Sequence, residues 1–300
     1  MKILRIGICD GALGVAQAHE LMQAVSSYDP MIVPELVKIA PKSSPDNFYP
    51  YAAAAQQALR NQAVDLCVHS LEALPIGLDK NFPIVAVSKR REPRDVLVCA
   101  ANRKEPDLTR PLGAWEARRW AQLAKLYPGW TIVPAIGNIE HLLAGLDEGE
   151  FGALALSGPD IDLLGLSSRV HLVLAEEHIV TSCGQGIVAV QGRAGEKVSF
   201  LEKYHDVASW DMAIAEHSFA GVLLSESIQV FAARATIRND NLNMRGMLVD
   251  QNGKQWLGVI GGSREDAAGL GAALAARIKL DSIDPNDRRD YRFKTKSFPS

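Results

Sequence analysis

Residues 63–100 read AVDLCVHSLEALPIGLDKNFPIVAVSKRREPRDVLVCA. The apolar run at 64–69 is followed by a turn-prone serine and a Leu-Pro pair, which is typical of a buried parallel strand that ends in a loop. Two further strands are predicted over residues 83–88 and 96–100. In open α/β sheets, ligands bind outside the carboxyl ends of the strands, so the loop at 70–75 is the first place to expect a binding site.

The composition indicates an ordinary globular chain. It has 300 residues, 47% hydrophobic and 22% charged, which is long enough for two or three hydrophobic cores. A formal net charge of −3 gives no basic footprint, so we expect no nucleic-acid partner. We expect a monomer.

Three further expectations come from what the sequence lacks. The four cysteines form no CxxC pair, which predicts reduced thiols, and no His or Cys spacing favours a metal site. The start of the chain does not read as a signal peptide, and no apolar run reaches the roughly 18 residues that span a bilayer. These features predict a cytoplasmic protein without a membrane partner.

Alternating strands and helices run from residue 5 to residue 157, and the two halves of this region read as a duplicated open sheet around a cleft. The polar residues 102–113 read as a linker between the halves. From residue 204 the pattern changes to helix, three strands and helix, with Asn252-Gly253 as a hairpin turn, which predicts a small α+β unit.

The motif at 64–97 resembles the hydroxymethylbilane synthase (porphobilinogen deaminase) family. That family usually reads D-[IL]-x-V-H-S-x-K-D-[VL]-P here, followed by a strand and R-x-D-x-R-D. The likeness continues at Gly137-Asn138 and at 143–149, 164–169 and 184–190. The last of these, GQGIVAV, matches the family's G-Q-G-[AI]-[VL]-x-[IV].

The resemblance implies three domains. Domain 1 would comprise residues 1–96 with a return segment at 187–203, and domain 2 residues 97–186. The third, residues 204–300, would be an α+β domain with a three-stranded antiparallel sheet and a frayed tail from 281. The first two would be similar α/β domains of the type II solute-binding-protein kind, facing each other across a cleft.

The resemblance also implies a chemistry. The family links porphobilinogen units on a dipyrromethane primer that a cysteine of the third domain holds, and one Asp stabilises the cationic intermediates. Here Ala73 stands at the Asp position, with Glu72 beside it as a weak substitute, and Ser227 stands at the Cys position. A serine offers no thiolate, so we expect no covalent dipyrromethane and no other cofactor.

Most of the cations that would bind the substrate carboxylates are also replaced. The family's G-T-S-S-x-R-R becomes GAWEARR, which keeps Arg118 and Arg119. Other cation positions carry Ile136, Leu142 and the pair Asp162-Leu163. The two retained arginines are either solvated charges on a helix surface or the anchor for one small anion.

A ligand cleft is predicted from the positions that match the family's binding residues. In the opening motif, Cys9 and Gly11 stand where the family carries its Arg and Ser. Asp95 is expected to form a structural ion pair, and Gln185 a hydrogen bond at the hinge. The predicted cleft residues are Cys9, Gly11, Ser70, Arg118, Arg119, Asn138 and Gln185.

Three functions stay open at this point. The leading hypothesis is a family member that has lost primer-dependent polymerisation and binds a smaller ligand, a pyrrole or a small carboxylate. The second is an active porphobilinogen-condensing transferase that uses Glu72, the two arginines and Cys9 as a different anchor. The third is a ligand-sensing or accessory binding protein.

Overall fold

The structure, a computed structural model, describes residues 2–40 and 49–283. The elements before residue 99 are β1 Lys2–Cys9, α1 Ala12–Tyr28, β2 Ile32–Ile39, α2 Pro50–Arg60, β3 Leu66–Ser70, β4 Ile84–Val87 and β5 Asp95–Val98. They are followed by β6 Leu112–Ala114, α3 Ala117–Leu126, β7 Ile132–Pro134, α4 Ile139–Glu148, β8 Ala153–Ser157, α5 Gly158–Leu163, β9 Val170–Val173 and β10 Val188–Gly192. The last are α6 Val207–Ser225, β11 Phe231–Arg238, β12 Asn241–Val249, β13 Gln255–Ser263 and α7 Ala267–Ile283.

The strands form three sheets, and each sheet with the helices packed on it is called a lobe below. The first sheet has the order β2-β1-β3-β10-β4, the second β7-β6-β8-β5-β9, and the third β11-β12-β13. In each of the first two sheets, four strands run in the same direction, and the fifth, β10 or β5, is antiparallel to both of its neighbours. The third sheet is antiparallel throughout.

The antiparallel strands mark where the chain changes lobe. β5 follows the first lobe in sequence but lies in the second sheet, and β10 follows the second lobe but lies in the first sheet. Two segments, residues 88–94 and 174–187, therefore cross between the lobes. The fold class predicted from the sequence is confirmed. The whole of β5 lies in the second sheet. The predicted domain bounds stay a prediction.

The strand β3 shows why the central motif is so apolar. Leu66 and Val68 pack into a core with Leu21 and Val25 of α1, whereas Cys67 faces the core on the other side, formed with α2. Because successive side chains of a strand point to opposite faces, a strand with helices on both faces is apolar at most of its positions. This strand is parallel to β1, as predicted, but antiparallel to β10.

Several predictions need correction. The expected linker at 102–113 runs into the strand β6, and α5 and β9 were not predicted. The tail predicted to fray from residue 281 is helical to Ile283, while residues 284–300 lie outside the described part of the chain, as does the predicted polar loop at 41–47. Short elements of three to six residues carry too little periodicity to be recognised in sequence.

The packing of α6 against α7 requires a glycine. A Cβ on Gly271 would lie 2.0 Å from the carbonyl oxygen of Ala215, which leaves no room for a methyl group. A Cβ on Gly221 of α6 would instead make an ordinary 3.7 Å contact with Ile76.

We expect Gly271→Ala to destabilise the protein by about 2 kcal/mol, because the helices must move apart. The matched control Gly221→Ala should gain up to about 1 kcal/mol from helix propensity. Urea denaturation of the two variants measures both effects. Equal stability of the two would show that the helices do not approach this closely.

Candidate functional site at the junction of the lobes

The two retained arginines bind an acid of the same chain. Arg118 and Arg119 are 3% and 4% exposed, so they are not solvated surface charges. Arg118 Nη1 lies 2.6 Å from Asp95 Oδ2, and Arg119 Nη2 lies 3.0 Å from Asp95 Oδ1. Asp95, the first residue of β5, is 1% exposed. The anion that these guanidinium groups hold is therefore internal.

A second carboxylate, on the partly exposed side chain of Glu116, completes this cluster. Glu116 Oε2 lies 2.9 Å from Arg118 Nε, and it accepts a 2.8 Å hydrogen bond from the Ser182 hydroxyl. Glu116 precedes α3 with a φ of 73°, a left-handed conformation that is costly for a residue other than glycine. The pairing of its carboxylate with the arginines offsets that cost. We call Asp95, Glu116, Arg118 and Arg119 the junction cluster.

Gln185 joins the two crossing segments, in line with the expected hinge hydrogen bond. Its Nε2 donates to the Pro93 carbonyl oxygen at 2.6 Å and to Asp95 Oδ1 at 2.8 Å. Its Oε1 accepts from Arg118 Nη2 at 2.7 Å. The side chain is fully buried, so it acts inside the junction and not on a solvent-facing surface.

The charges of the junction cluster fix its protonation state. Burial by itself would raise the pKa of Asp95, but the two adjacent guanidinium groups outweigh burial and hold this pKa below its ordinary value. The same balance lowers the pKa of Glu116. Both carboxylates therefore stay ionised, and they neutralise the charges of the two guanidinium groups.

Two other acids near the cluster behave in the opposite way. Burial raises the pKa of Glu72 well above its ordinary value, and the Asp160 and Glu116 carboxylates act in the same direction. Burial also raises the pKa of Asp160 to about 6. Glu72 lies in a short 3-10 helix, Leu71–Ala73, and not in the extended loop expected from sequence, while Ala73 beside it is exposed.

The remaining predicted residues lie elsewhere. Ser70 accepts a 2.6 Å hydrogen bond from Gln17 Nε2, and Asn138 caps α4 by accepting from the His141 N–H at 2.8 Å. Ser227 is exposed in the loop after α6, has a φ of 60°, and donates its N–H to Leu224. None of the described hydrogen bonds links Ser227 to the junction cluster.

Cys9, the alternative anchor considered from the sequence, is a half-buried thiol at the end of β1. Burial raises its pKa, and Asp10 adds to the effect. Because the thiolate is the nucleophilic form, this environment makes Cys9 a poor site for covalent attachment.

Open space adjoins Gly11 instead. A depression of about 500 Å³ that is wide open to solvent, called the cavity below, lies between the first turns of α1 and the end of α5. Its polar edge includes the ion pair of Asp10 and Lys38, at 2.8 Å, and its apolar wall includes Leu163 and Leu164. Within residues 2–40 and 49–283, no three His, Cys, Asp or Glu side chains are grouped to hold a metal ion.

A second buried ion pair was missed from the sequence. Glu216 of α6 is fully buried and lies 2.5 Å from Arg90 Nη1, on the first crossing segment. The same carboxylate accepts from the backbone N–H groups of Gly184 and Ala235, both at 2.6 Å. An acid within the mostly apolar helix 207–225 was the one feature of the sequence that could have indicated a buried ion pair. Its partners are distant in sequence, so local pattern could not identify them.

The exchanged strands and the third sheet define a class: two type II solute-binding-protein-like lobes with an added α+β lobe. The BenM effector binding domain with its effector benzoate matches 75% of this chain and 94% of its own, at 14% identity and a TM-score of 0.41. The substrate binding domain of a putative molybdenum ABC transporter from Clostridium difficile matches 76% and 94%, at 13% identity and a TM-score of 0.41.

Sequence relatives define the family. Residues 4–199 match the family described as "Porphobilinogen deaminase, dipyromethane cofactor binding domain". Porphobilinogen deaminase of Acetivibrio thermocellus is 36% identical over 289 residues, covering 93% of this chain and 98% of that protein. The enzyme of Alkaliphilus oremlandii is 36% identical over 294 residues, covering 93% and 97%. The chain belongs to the porphobilinogen deaminase family.

Across the described residues, no helix has the length and apolarity needed to cross a membrane.

We expect Asp95→Asn to destabilise the protein by about 3 to 5 kcal/mol, because it leaves two buried guanidinium groups with one carboxylate between them. Thermal or urea unfolding measures the change. The control is Asp147→Asn, which breaks a more exposed pair with Arg169 and should cost less than about 1 kcal/mol. A similar loss in both variants would contradict the central role of Asp95.

Asp160 should make stability depend on pH. Its folded pKa of about 6 lies above its ordinary value of 3.8, so the folded state binds the proton more tightly and loses stability as pH rises between these values. We expect Asp160→Asn to be more stable than the native protein by about 1 to 2 kcal/mol above pH 6, an amount reduced because the side chain is partly exposed.

The measurement is urea unfolding from pH 4 to 7.5 for the native protein, Asp160→Asn and the control Asp162→Asn on the same helix. The stability difference between native and Asp160→Asn should grow with pH up to about 6 and then stay level. A constant difference across the range would show that Asp160 does not titrate there.

Proposed function

We propose that this member of the porphobilinogen deaminase family does not polymerise porphobilinogen on a covalent dipyrromethane, and that the cleft between its first two lobes binds a smaller, less anionic ligand. The observation that carries the proposal is the internal pairing of Arg118 and Arg119 with Asp95 and Glu116. An incoming carboxylate would have to displace one of these acids. The displaced acid would then lose its charged partners in a buried site.

The residues at the primer position do not fit a dipyrromethane group. A thioether requires a thiol, and Ser227 supplies a hydroxyl with no described base bonded to it. No cysteine lies near it in sequence, since the four thiols are at 9, 67, 99 and 183.

The cavity beside Gly11 suits the smaller ligand. Its volume of about 500 Å³ falls in the range of small-molecule pockets, and its wall combines apolar leucines with one charged pair. A pyrrole or a small carboxylate is the ligand class proposed. We propose that the protein acts as a monomer in the cytoplasm, without nucleic-acid partners.

A second function is favoured by one observation. Burial raises the pKa of Glu72 well above its ordinary value, which favours the protonated, proton-donating form of a residue one position from the replaced Asp. A porphobilinogen-condensing transferase that uses Glu72 is therefore the alternative. It differs from the first proposal in requiring turnover.

We expect the purified protein to have the mass of its polypeptide alone and to form uroporphyrin from porphobilinogen at least about 100-fold more slowly than a working deaminase, since loss of a positioned acid costs that much. Intact-mass spectrometry and the colour of oxidised product test both statements. The Acetivibrio thermocellus relative, 36% identical, is the positive control.

The outcomes separate the two functions. A mass increase that matches a pyrrole chain, or turnover at the control's rate, would overturn the first proposal. If turnover occurs and Glu72→Gln abolishes it, the alternative holds. Binding of porphobilinogen measured by calorimetry, without turnover, supports the small-ligand proposal.

A further inference from the structure

The helix α1 receives its N-terminal cap from another lobe. Its N-cap residue is Gly11, which has no side chain, and its first turn carries no acid. The first N–H groups of a helix have no partners within the helix, so α1 lacks an internal acceptor for them. The N–H of Ala12 donates instead to Glu140 Oε1, at 2.8 Å, and Glu140 belongs to α4 of the second lobe.

Glu140 is not needed to cap its own helix. Asn138 already accepts the hydrogen bond from His141 at the start of α4. The carboxylate of Glu140 therefore lies between the N-terminal ends of two helices, α4 and α1. Both ends carry a partial positive charge, and one carboxylate is attracted to both.

The fit at this contact is close. A Cβ on Gly11 would lie 3.3 Å from Glu140 Oε1, and the φ of Gly11 is 133°, which favours glycine. A side chain at this position would press against the carboxylate that reaches across from α4. The absence of a side chain at residue 11 thus admits the acid of the other lobe.

A second set of contacts joins the same two lobes. Arg91, on the first crossing segment, pairs with Glu20 of α1 and, at 3.1 Å, with Asp162 of α5. The cavity of about 500 Å³ lies between α1 and α5, and Gly11 and Ala12 form part of its lining. The Glu140 contact is thus at the edge of the cavity.

We propose that Glu140 is a latch between the first two lobes: its carboxylate caps α1 only in the closed arrangement, so opening the cleft uncaps α1 and closing it restores the cap. The latch couples access to the cavity to the order of the first turn of α1. This holds whichever ligand the cleft accepts, so it stands apart from the function proposed above.

The test uses the full chain and four variants: Glu140→Gln, Glu140→Ala, and the matched controls Glu148→Gln and Glu148→Ala at the exposed end of the same helix. Two quantities are measured, the exchange rate of the Ala12 amide proton by NMR and the radius of gyration by small-angle X-ray scattering. The first reports the cap, and the second reports the opening of the lobes.

We expect the Ala12 amide to exchange about fivefold faster in Glu140→Ala, in line with the loss of an N-cap. Glu140→Gln should lie between this variant and the native protein, because an amide oxygen still accepts the hydrogen bond without the charge. The radius of gyration should rise in the same order, and exchange in α5, residues 158–163, should rise with it. The Glu148 variants should match the native protein.

Two results would overturn the latch. Faster exchange confined to Ala12, with an unchanged radius of gyration and unchanged exchange in α5, would make Glu140 a local cap only. Unchanged exchange at Ala12 in Glu140→Ala would remove the cap as well. All variants retain the junction cluster and the cores, so we expect them to fold. Circular dichroism checks that a change in amide exchange or in the radius of gyration does not come from unfolding.

Discussion

Asp95 balances the buried charge on which the rest of the structure depends. An unpaired guanidinium is costly inside a protein, and this junction contains two, Arg118 and Arg119, each bonded to the same carboxylate. Asp95 begins β5, where the chain enters the second sheet, and Gln185 bonds to it from the segment that leaves. The position of each crossing segment is thus set by charge neutralisation and not only by sheet pairing.

The third lobe is attached to the same place by a separate ion pair. Arg90 lies five residues before Asp95 in the chain, and it bonds to Glu216 of α6 and, through its Nε, to the Gln185 carbonyl oxygen at 2.9 Å. Glu216 also accepts backbone N–H groups from both the second crossing segment and β11. All three lobes therefore meet around two short segments, and their relative positions depend on two buried acids.

The sequence predicted what depends on local pattern. The alternation of strands and helices was predicted to run to residue 157, where β8 ends, and the Asn252-Gly253 turn joins β12 to β13, with Gly253 at a φ of 77° as such a turn requires. The sequence could not decide between a surface and a buried position for Arg118, because two arginines at the start of an amphipathic helix suit both. Their partner Asp95 is 23 and 24 residues away, and only the fold brings it to them.

The buried charges at the junction affect whether Arg118 and Arg119 can bind a ligand, because a ligand carboxylate would have to replace Asp95. The family chemistry, as the resemblance implies, needs cations that are free to receive substrate carboxylates, and here the retained cations already have the buried Asp95 as a partner. Replacing Asp95 by an external carboxylate would leave Asp95 ionised, desolvated and unpaired, or would require it to take up a proton against a lowered pKa. Either route costs more free energy than binding the same ligand to an exposed arginine. The interaction free energy of the retained arginines is therefore used inside the protein, where it joins the lobes through Asp95.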